Sequence, residues 1–574
     1  MATFHTHSGS KFILASKVRF ATASPDSAEF DVVRKLATVR NVVKRNLQRD
    51  SVQLLHLSEE ARKIQGVKDA ALVMGTQTNK EILTKLGLLT EEGKAALASD
   101  MLLAVKTDSE KQADICLQEV EQLLLKPPLT KGRSYYSVEA ALQAMPEANL
   151  AIVSIPGEYA RDAVLRVLEA SISVLLFSDH VTPEVELELK QFAKSKGLLV
   201  MGPGAGTSFI GGKGLGFANV LRRGRIGIVA AAGTGLQEVS VLLSEAEFGI
   251  SAGLGTGGGD VKSKIGGIAM LQCVDALERD PQTDVVVIVS KPPDSDVRLR
   301  VMRHIADNTR KRFVTCFLGR DNYDIPSALR SRVRGTKTLH AAFFEAAQAS
   351  SNDIQTQTLN RFTISPDELV SIANKAAERL TTTQKYLRGL YTGGTLGYET
   401  LIILSRLIGK VYSNAPLEPE LKLVDSYRSL KDSIVDLGEE EFTAGRAHPM
   451  IDPTIRKMRL IEEAKDPEVA VILMDIMLGY GSHPDPAGSM LDAIEEARKL
   501  TEVGGRTIPI LAHICGTEKD PQPRSEQEAK LKRAGVYLFP TNALMAVASA
   551  LVSRRGTVSK DSLDEVYSNY LRGF

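Results

Sequence analysis

The sequence contains no tryptophan, and aromatic residues make up only 5% of its 574 residues. Such a chain offers few side chains on which nucleic-acid bases could stack, so a surface for single strands is not expected. Lys and Arg number 71 against 70 Asp and Glu, and neither sign runs in long blocks. The charge pattern therefore predicts no nucleic-acid partner and no membrane-surface partner.

Cysteines and long apolar runs are scarce too. The four cysteines form neither a CxxC motif nor a metal-ligand spacing, which is typical of a reducing compartment. No apolar run approaches the length of a membrane span, so a soluble, cytoplasmic protein is expected. Residues 1–24 hold basic and hydroxyl side chains but no acidic one, a composition shared by transit peptides and disordered tails. An organelle matrix is therefore the alternative location.

The length exceeds what a single hydrophobic core supports, and alternating strand and helix patterns predict a multi-domain α/β protein. In the N-terminal part we expect a helix at residues 31–46 and three strands at residues 51–57, 67–74 and 101–107. The strands are expected to form a small parallel or mixed sheet. A Pro- and Gly-containing break at 126–132 marks the first boundary.

Six segments follow from these patterns. They are an N-terminal extension (1–44), an α/β domain (45–130), a Rossmann-like domain (131–220), a first flavodoxin-like domain (221–346), a linker (347–386) and a second flavodoxin-like domain (387–574).

The Rossmann-like segment has a regular β-α-β-α-β pattern between residues 150 and 202. Turn-rich stretches follow its strands and are expected to meet at one crevice. Gly202 and Gly204 in that crevice, and Gly75 with Thr76 after an earlier strand, would let a cofactor approach the backbone closely. His180 is expected to cap a helix or to make a structural hydrogen bond.

A glycine-rich turn, Gly233-Thr234-Gly235, lies between a buried apolar run and a helical pattern. The first amides of a helix have no intrahelical acceptors and point outward at the positive end of its dipole, so such a turn can bind phosphate or carboxylate. A tight strand-to-helix connection also favours glycine, so both interpretations stay open for this turn alone.

The second half of the chain repeats the device. GTGLQE at residues 233–238 is matched by GTLGYE at 394–399, and ERDPQTDVVVI at 278–288 by AKDPEVAVILM at 464–474. The elements follow one another in the same order, which predicts two copies of one α/β domain. If the copies pack face to face, their turns form a two-sided clamp for one anion, with Gly233, Thr234, Gly235, Gly393, Gly394 and Thr395 as the binding residues.

The densest polar cluster lies in the second copy and supplies the candidate catalytic residues Arg446, His448 and Asp452. The guanidinium of Arg446 suits a carboxylate or phosphate. His448 is a candidate acid, base or hydrogen-bond donor, and Asp452 would orient it or cap the following helix. His483 and Asp485 lack a third ligand, so no metal site is predicted.

Residues 135–345 resemble the α subunit of succinyl-CoA synthetase and its NDP-forming acyl-CoA synthetase relatives, through the runs SVEAALQAMPEANLAIVSIP, RIGIVAAAGTGLQE, GLGTGGGD and ALERDPQTDVVVIVS. The resemblance to the synthetases implies that the Rossmann-like segment is a CoA-binding-type domain. Over roughly residues 45–570 the chain more closely resembles the FdrA-type proteins, through DSVQLLHLS, ALVMGTQTNK, DVVVIVSKPP, GLYTGGTLGYE, GRAHPMIDPTIR and the GTEKDPQ loop.

Three departures from the synthetases bear on chemistry. Their phosphorylated histidine lies in a Met-Gly-His-Ala-Gly-like loop, which is matched here by the histidine-free loop Gly319–Asp324. The counterpart of their CoA-binding turn, Gly75–Asn79, is poor in glycine. No ATP-grasp segment is evident, so this chain alone is not expected to activate an acid with a nucleotide.

The FdrA resemblance implies a carbamoyltransferase subunit that works with companion subunits, and we also expect a homo-oligomer. The implied reaction is oxalurate plus phosphate giving oxamate and carbamoyl phosphate, in purine and allantoin breakdown. Phosphate is then a co-substrate, the substrate is a small anion, no cofactor is required and CoA binding is in question. Two alternatives stay open. One is an NDP-forming acyl-CoA synthetase subunit in which another histidine, such as His448, carries the phosphoryl group, and the other is a non-catalytic scaffold that binds CoA or an anion.

Overall fold

The computed structural model describes residues 38–47, 49, 51–125, 135, 137–319, 325–350 and 356–572. The chain forms two compact units that divide between residues 141 and 142. The transit-like segment 1–24, the predicted boundary at 126–132 and residues 320–324 of the histidine-free loop lie outside the described residues.

The N-terminal unit is a small sheet covered by helices on both faces. Its elements in chain order are β1 (Thr38–Lys44), α1 (Ser51–Arg62), β2 (Val67–Met74), α2 (Gln77–Lys85), α3 (Glu91–Lys94), β3 (Met101–Thr107) and α4 (Glu110–Leu125). The sheet has the order β1-β3-β2, and both pairs of neighbours are antiparallel. Leu54 and Val120 pack on one face, and Leu83 and Leu88 on the other.

Three N-terminal predictions are wrong. Residues 38–44, expected in a helix and assigned to the extension, form strand β1. Residues 51–57, expected as a strand, begin helix α1, because Leu54, Ser58 and Ala61 recur at helical spacing as its buried face. The sheet is also antiparallel, whereas a parallel or mixed sheet was predicted.

The second unit opens with the predicted Rossmann-like pattern. After α5 (Val138–Ala144), which spans the division, come β4 (Leu150–Val153), α6 (Gly157–Glu169), β5 (Ser173–Leu176), α7 (Pro183–Ser195) and β6 (Val200–Met201). Strands β4, β5 and β6 form a three-stranded parallel sheet in that order, as predicted.

The first repeat follows directly. Its elements are β7 (Thr207–Ile210), β8 (Lys213–Gly216), β9 (Arg223–Ala231), α8 (Gly233–Glu245), β10 (Ile250–Gly255), α9 (Ile268–Arg279), β11 (Val285–Ser290), α10 (Ser295–Asn308), β12 (Arg312–Phe317), β13 (Val333–Thr336) and α11 (Leu339–Ser350). The seven strands lie in the order β13-β12-β11-β9-β10-β7-β8. The hairpin of residues 207–216 therefore belongs to this sheet, although the sequence placed it in the Rossmann-like domain.

The predicted linker, residues 347–386, contains two helices, α12 (Thr356–Asn360) and α13 (Pro366–Ala377). Helix α13 begins with Ser365, whose side chain accepts a hydrogen bond from the Glu368 N–H, and Pro366 in the first turn. Leu369 and Ala373 are buried in the main core. Much of this segment is therefore packed structure and not a spacer.

The second repeat completes the chain. Its elements are β14 (Tyr386–Tyr391), α14 (Gly394–Leu407), β15 (Tyr412–Ser413), β16 (Ser433–Asp436), α15 (Glu440–Thr443), α16 (Thr454–Lys465), β17 (Val469–Met477), α17 (Leu491–Val503), β18 (Ile510–Cys515), α18 (Arg524–Arg533), β19 (Tyr537–Phe539), α19 (Asn542–Ser553) and α20 (Lys560–Asn569). Its strands form a parallel sheet of order β15-β16-β14-β17-β18-β19.

The two sheets confirm the predicted repeat, because β13-β12-β11-β9-β10 and β19-β18-β17-β14-β16 match strand for strand. Helices α8, α11, α14 and α19 lie between the sheets in one shared core. Helices α8 and α19 are buried along nearly their whole length. Helix α19 is apolar on almost every side, as expected of a buried helix, whereas α8 also buries Gln237 and Glu238. Within the described parts of the chain, no helix combines the length and the apolar character needed to span a membrane.

Candidate functional site

The two glycine-rich turns lie against each other between the repeats. Helix α8 begins at Gly233 after strand β9, and helix α14 begins at Gly394 after strand β14. The Thr395 N–H donates to Thr234 Oγ1 over 3.1 Å. A Cβ on Gly235 would lie 2.9 Å from Thr395 Cγ2, so glycine permits this approach. The predicted proximity of the two helix starts is confirmed.

The second turn holds a carboxylate of the protein itself. Asp475, in β17, is fully buried, and its Oδ2 accepts the Gly393 N–H at 2.6 Å. Its Oδ1 accepts the Thr392 N–H at 2.8 Å, and Arg456 donates to the Asp475 carbonyl oxygen at 2.5 Å. A carboxylate is stabilised at a helix N-terminus, where amides point outward. The N–H groups of Gly393 and Thr395, expected to bind a substrate anion, are therefore already paired within the protein.

The first turn is open by comparison. Among the described residues, the N–H groups of Gly233, Thr234 and Gly235 have no acceptor. Asp475 corresponds to Val289 of the first repeat. The residues before them, Met474 and Ile288, pair with Leu390 and Val229, and each of these partners lies four residues before the start of its helix, α14 or α8. The first repeat thus has an aliphatic side chain where the second has its carboxylate.

Asp436 lies on the other side of the second turn, at the end of β16. Its carboxylate is 6% exposed and accepts the Gly438 N–H at 2.9 Å through Oδ1, while a Cβ on Gly394 would collide with Oδ2. Burial raises the pKa of Asp436 to about 7, although Lys291 favours its ionised form. A carboxyl group with such a pKa can donate or accept a proton near neutral pH.

His448 lies beside Asp436, with Nε2 2.8 Å from the position that a Cβ on Gly438 would take. Its Nδ1 accepts the Met450 N–H at 3.2 Å, so the neutral ring carries its proton on Nε2. Burial lowers the pKa of His448 to about 4. The ring, packed 5.5 Å from that of Phe217, is therefore a neutral hydrogen-bond donor at pH 7.

Arg446 and Asp452 form a largely buried ion pair, with 2.7 Å between Nη2 and Oδ2. Asp452 Oδ1 also accepts the Thr454 N–H at 3.0 Å and its hydroxyl at 2.6 Å. Helix α16 begins at Thr454, and Asp452 stabilises its start through these hydrogen bonds. The Arg446 guanidinium is thus engaged by Asp452, and the hydrogen bond that orients His448 comes from Met450, not from Asp452.

The glycines considered for cofactor binding make close backbone contacts in their own units. In the N-terminal unit the Gly75 N–H donates to the Asp100 carbonyl at 2.8 Å, and Thr76 caps helix α2. In the second unit the Gly202 N–H donates to the Thr256 carbonyl at 3.3 Å, and that of Gly204 to Ser178 at 3.1 Å. Cofactor binding at these glycines stays a prediction.

The other candidate histidines have protein partners. His180 Nε2 lies 2.8 Å from Glu440 Oε1. His483 Nδ1 accepts the Asp485 N–H at 2.9 Å, and Asp485 pairs with Lys530 at 2.7 Å. Across the described segments, no three His, Cys, Asp or Glu side chains are grouped so that they could hold a metal ion.

Sequence reasoning missed the contacts that join the repeats. Asp520 of the GTEKDPQ loop accepts the Val220 N–H at 2.6 Å and the Asn219 side-chain amide at 2.8 Å. Thr517 of the same loop donates from its hydroxyl to the Val220 carbonyl at 2.8 Å. This loop therefore joins the second repeat to the chain segment that precedes β9. A polar loop rich in turn residues was a signal for a special role, but its partner is about 300 residues away in sequence.

Two glutamates at matching positions also cross between the repeats. Glu238 Oε2 lies 2.9 Å from His513 Nε2 on β18, and both side chains are buried. Glu399 Oε1 accepts the Leu339 N–H at the start of α11 over 2.7 Å, and Oε2 accepts the Asn542 amide at 2.8 Å. The sequence repeat aligned these glutamates but carried no sign of their partners.

Two family models match the chain. The family described as CoA-ligase covers residues 390–552, and the one described as AllF, heavy metal-associated domain, covers residues 37–139. In the matched N-terminal region the single cysteine, Cys116, is buried within the core of the unit. Since metal sites of soft ions need exposed thiolates or several grouped ligands, the described residues do not fit a heavy-metal site.

The similar proteins differ in how much of the chain they cover. The chain is 42% identical to YahF of Escherichia coli (strain K12) over 507 residues. The aligned segment covers 87% of this chain and 96% of YahF. It is 31% identical over 160 residues to the α subunit of the ADP-forming succinate–CoA ligase of Methanothermobacter thermautotrophicus, covering 27% of this chain and 53% of that subunit.

Among solved structures, the dinucleotide-forming acetyl-coenzyme A synthetase 1 of Ca. Korarchaeum cryptofilum matches at 17% identity with a TM-score of 0.31, over 75% of this chain and 87% of that chain. The identity to YahF over nearly the full length of both chains is what assigns the family. The chain belongs to the family of Escherichia coli YahF, with a CoA-ligase domain and an AllF-type N-terminal domain.

Proposed function

We propose that this chain is a subunit of an acid–thiol ligase of the acyl-CoA synthetase type, whose reaction centre lies where helices α8 and α14 begin. One observation carries the proposal: the open turn Gly233–Gly235 adjoins a turn flanked by Asp436 and His448. The CoA-ligase match over residues 390–552 and the likeness to succinate–CoA ligase α subunits support this class of reaction.

In this proposal the free amides of the first turn bind the oxygens of an acyl phosphate or of the attacked carbonyl. Fixed amides at a helix start stabilise negative charge as it develops, and removing one such donor typically lowers kcat by about 10²–10³. His448 donates a hydrogen bond from its Nε2–H to the substrate, and the carboxyl group of Asp436 gives a proton to the substrate or accepts one from it. Companion subunits bind the nucleotide substrate, and CoA is the thiol that accepts the acyl group.

Transfer of a carbamoyl group to phosphate, as implied by the FdrA resemblance, is the second candidate. The state of His448 favours it, because Nδ1 already accepts the Met450 N–H and Nε2 carries the ring proton. Neither nitrogen then presents a lone pair for phosphorylation. Phosphate bound at the first turn would attack the carbamoyl carbon directly, without a covalent enzyme intermediate.

The experiment starts from the chain co-purified with its companion subunits. The complex is incubated with ATP, CoA and a panel of small carboxylic acids, and the loss of free thiol is followed. In parallel, oxalurate and phosphate are supplied, and carbamoyl phosphate is measured. We expect thiol consumption with at least one acid, lowered about 10²-fold or more by His448→Leu, which removes the Nε2–H donor. Carbamoyl phosphate without thiol loss would select the second candidate.

A matched control is Lys457→Met, which removes an exposed cation paired with Asp492 on the outer helices of the same repeat. It is expected to keep full activity. Absence of both products, in a complex that assembles normally, would leave the non-catalytic scaffold.

A further inference from the structure

Three ionisable side chains from separate segments converge beside the helix starts. Asp436 closes β16, His448 precedes α16, and Lys291 follows β11 of the first repeat. The Lys291 ammonium lies 5.4 Å from the ring centroid of Tyr398, in the first turns of α14. The first repeat thus places a cation next to the carboxylate of the second.

The carboxylate of Asp436 is only partly satisfied. Oδ1 accepts the Gly438 N–H, whereas Oδ2 has no hydrogen-bond partner among the described residues and lies over Gly394. A carboxylate oxygen without a protein donor can accept a hydrogen bond from a ligand or take up a proton. Oδ2 therefore points to a ligand position at the start of α14, beside the open first turn.

We propose that Asp436 takes up a proton when an anion binds at the open start of helix α8, and that Lys291 holds this anion in place. The inference rests on the site of the proposed function and adds its substrate class, a phosphate or an acyl phosphate.

The charges around Asp436 give the reason. Without an anion, Lys291 favours the ionised carboxylate, while burial and the neighbouring Glu439 and Asp475 oppose ionisation. His448 is neutral near pH 7 and adds no positive charge. An anion pairs with Lys291 and adds a negative charge of its own, so both effects drive Asp436 to accept a proton.

Protonation changes what the carboxyl group can do. An ionised carboxylate only accepts hydrogen bonds, whereas the protonated group carries one O–H donor. The bound anion would then be met by the amides of the first turn, the Lys291 ammonium and the Asp436 O–H. A phosphate presents up to four oxygens in a tetrahedral arrangement to these three groups, whereas a simple carboxylate presents two oxygens in one plane.

The test uses the full chain and inorganic sulfate, a tetrahedral anion whose charge is constant around neutral pH. Isothermal titration calorimetry in two buffers of different ionisation enthalpy gives the protons taken up per sulfate. We expect close to one proton at about pH 8, where free Asp436 is largely ionised, and close to none at about pH 6. The affinity should be lower at the higher pH.

Two variants assign the effect. In Asp436→Asn the proton uptake disappears and sulfate binds at about pH 8 at least as tightly as to the wild type. In Lys291→Met the affinity falls by roughly tenfold or more, because a charge-assisted contact is lost. Asp492→Asn and Lys457→Met, which remove the two members of an exposed ion pair in the same repeat, are expected to change neither quantity.

The outcomes separate this inference from the function on which it rests. Sulfate binding without proton uptake, or uptake that persists in Asp436→Asn, would overturn the inference and leave the anion site of the proposed function intact. Sulfate that does not bind at all would overturn both.

Discussion

The first repeat surrounds its glycine-rich turn with Val289 and Gly255, whereas the second repeat has Asp475 and Asp436 at the matching positions. In the second repeat Asp475 accepts the N–H groups of Thr392 and Gly393, and Thr234 accepts that of Thr395. In the first repeat the N–H groups of Gly233, Thr234 and Gly235 have no protein acceptor among the described residues. The backbone geometry has therefore been kept in both copies, while the chemistry has diverged.

This difference changes the clamp that the repeat predicted. A symmetrical clamp would offer two helix starts to one anion. Here the second start has its Gly393 and Thr395 N–H groups paired and two carboxyl groups beside it, so an anion is expected on the side of the first repeat. Anion binding itself stays a prediction.

The largest expected effect comes from the carboxylate that fills the second turn. Asp475→Ala leaves the buried Arg456 without its charge partner, and we expect a loss of about 3–5 kcal/mol in the free energy of unfolding. Val289→Ala, at the matching position, removes only aliphatic contacts and should cost clearly less. Urea unfolding followed by circular dichroism compares the two. Equal losses would mean that the second turn does not depend on its carboxylate.

The glutamates that cross between the repeats should differ as well. For Glu238 burial opposes ionisation, but His513 outweighs it and the pKa is lowered. For Glu399 burial raises the pKa to about 7. At pH 7 we expect Glu238→Gln to cost about 1–3 kcal/mol, because it breaks a buried charged hydrogen bond. Glu399→Gln should cost less, since that side chain is already partly protonated.

The pH dependence of stability tests the same pair. The folded-state pKa of Glu399 lies above its ordinary value of 4.5, so the folded chain binds more protons than the unfolded chain between pH 4.5 and about 7. Its contribution to stability therefore falls as pH rises through this range. Thermal unfolding across the range should show a shallower decline for Glu399→Gln than for the wild type. A decline of unchanged slope would contradict the assignment.

Alanine substitutions compare the two helices at their first turns. Gly235→Ala would press a methyl group to within 2.9 Å of Thr395 Cγ2, and such overpacking typically costs about 1–3 kcal/mol. Gly397→Ala meets its nearest atom, Tyr391 Cγ, at 3.4 Å and should be neutral or gain up to about 1 kcal/mol from helix propensity. Melting temperatures of the two variants give the comparison, and destabilisation of both by the same amount would count against it.

The smallest expected effect concerns the hydrogen bond between the turns. Thr234→Val removes the acceptor of the Thr395 N–H and should cost about 1 kcal/mol. Thr395→Val keeps that N–H and its acceptor, so it should change stability by less than about 0.5 kcal/mol. Chemical denaturation of both variants measures the difference, and the reverse ranking would refute the contact between the helix starts.

Much of the second unit was predictable because its signals are local. The buried runs before Gly233 and Gly394, and the helical spacing after them, specify strand, turn and helix within some 25 residues. The repeat also predicted correctly that the turns would meet. The N-terminal unit was harder, because a short stretch of mixed apolar and polar residues such as SVQLLHL at 51–57 fits either a strand or a helix until its packing partner is known.

The candidate site was predicted in part for the same reason. His448 was singled out from its cluster and lies beside the helix starts, whereas Arg446, which was expected to hold a substrate carboxylate or phosphate, is paired with Asp452. Lys291 and Asp436 were not predicted as site residues, although Lys291 lies in the run DVVVIVSKPP that carries part of the FdrA resemblance. Their importance arises from a position across the interface.

The sequence by itself determined the duplicated strand–turn–helix unit, since hydrophobic periodicity and glycine placement act over one element and its neighbour. Only the tertiary structure decided which of the two turns stays open. That choice depends on Asp475, more than 80 residues beyond Gly393 in the chain, and a parallel sheet brings it into hydrogen-bonding distance by placing β17 next to β14.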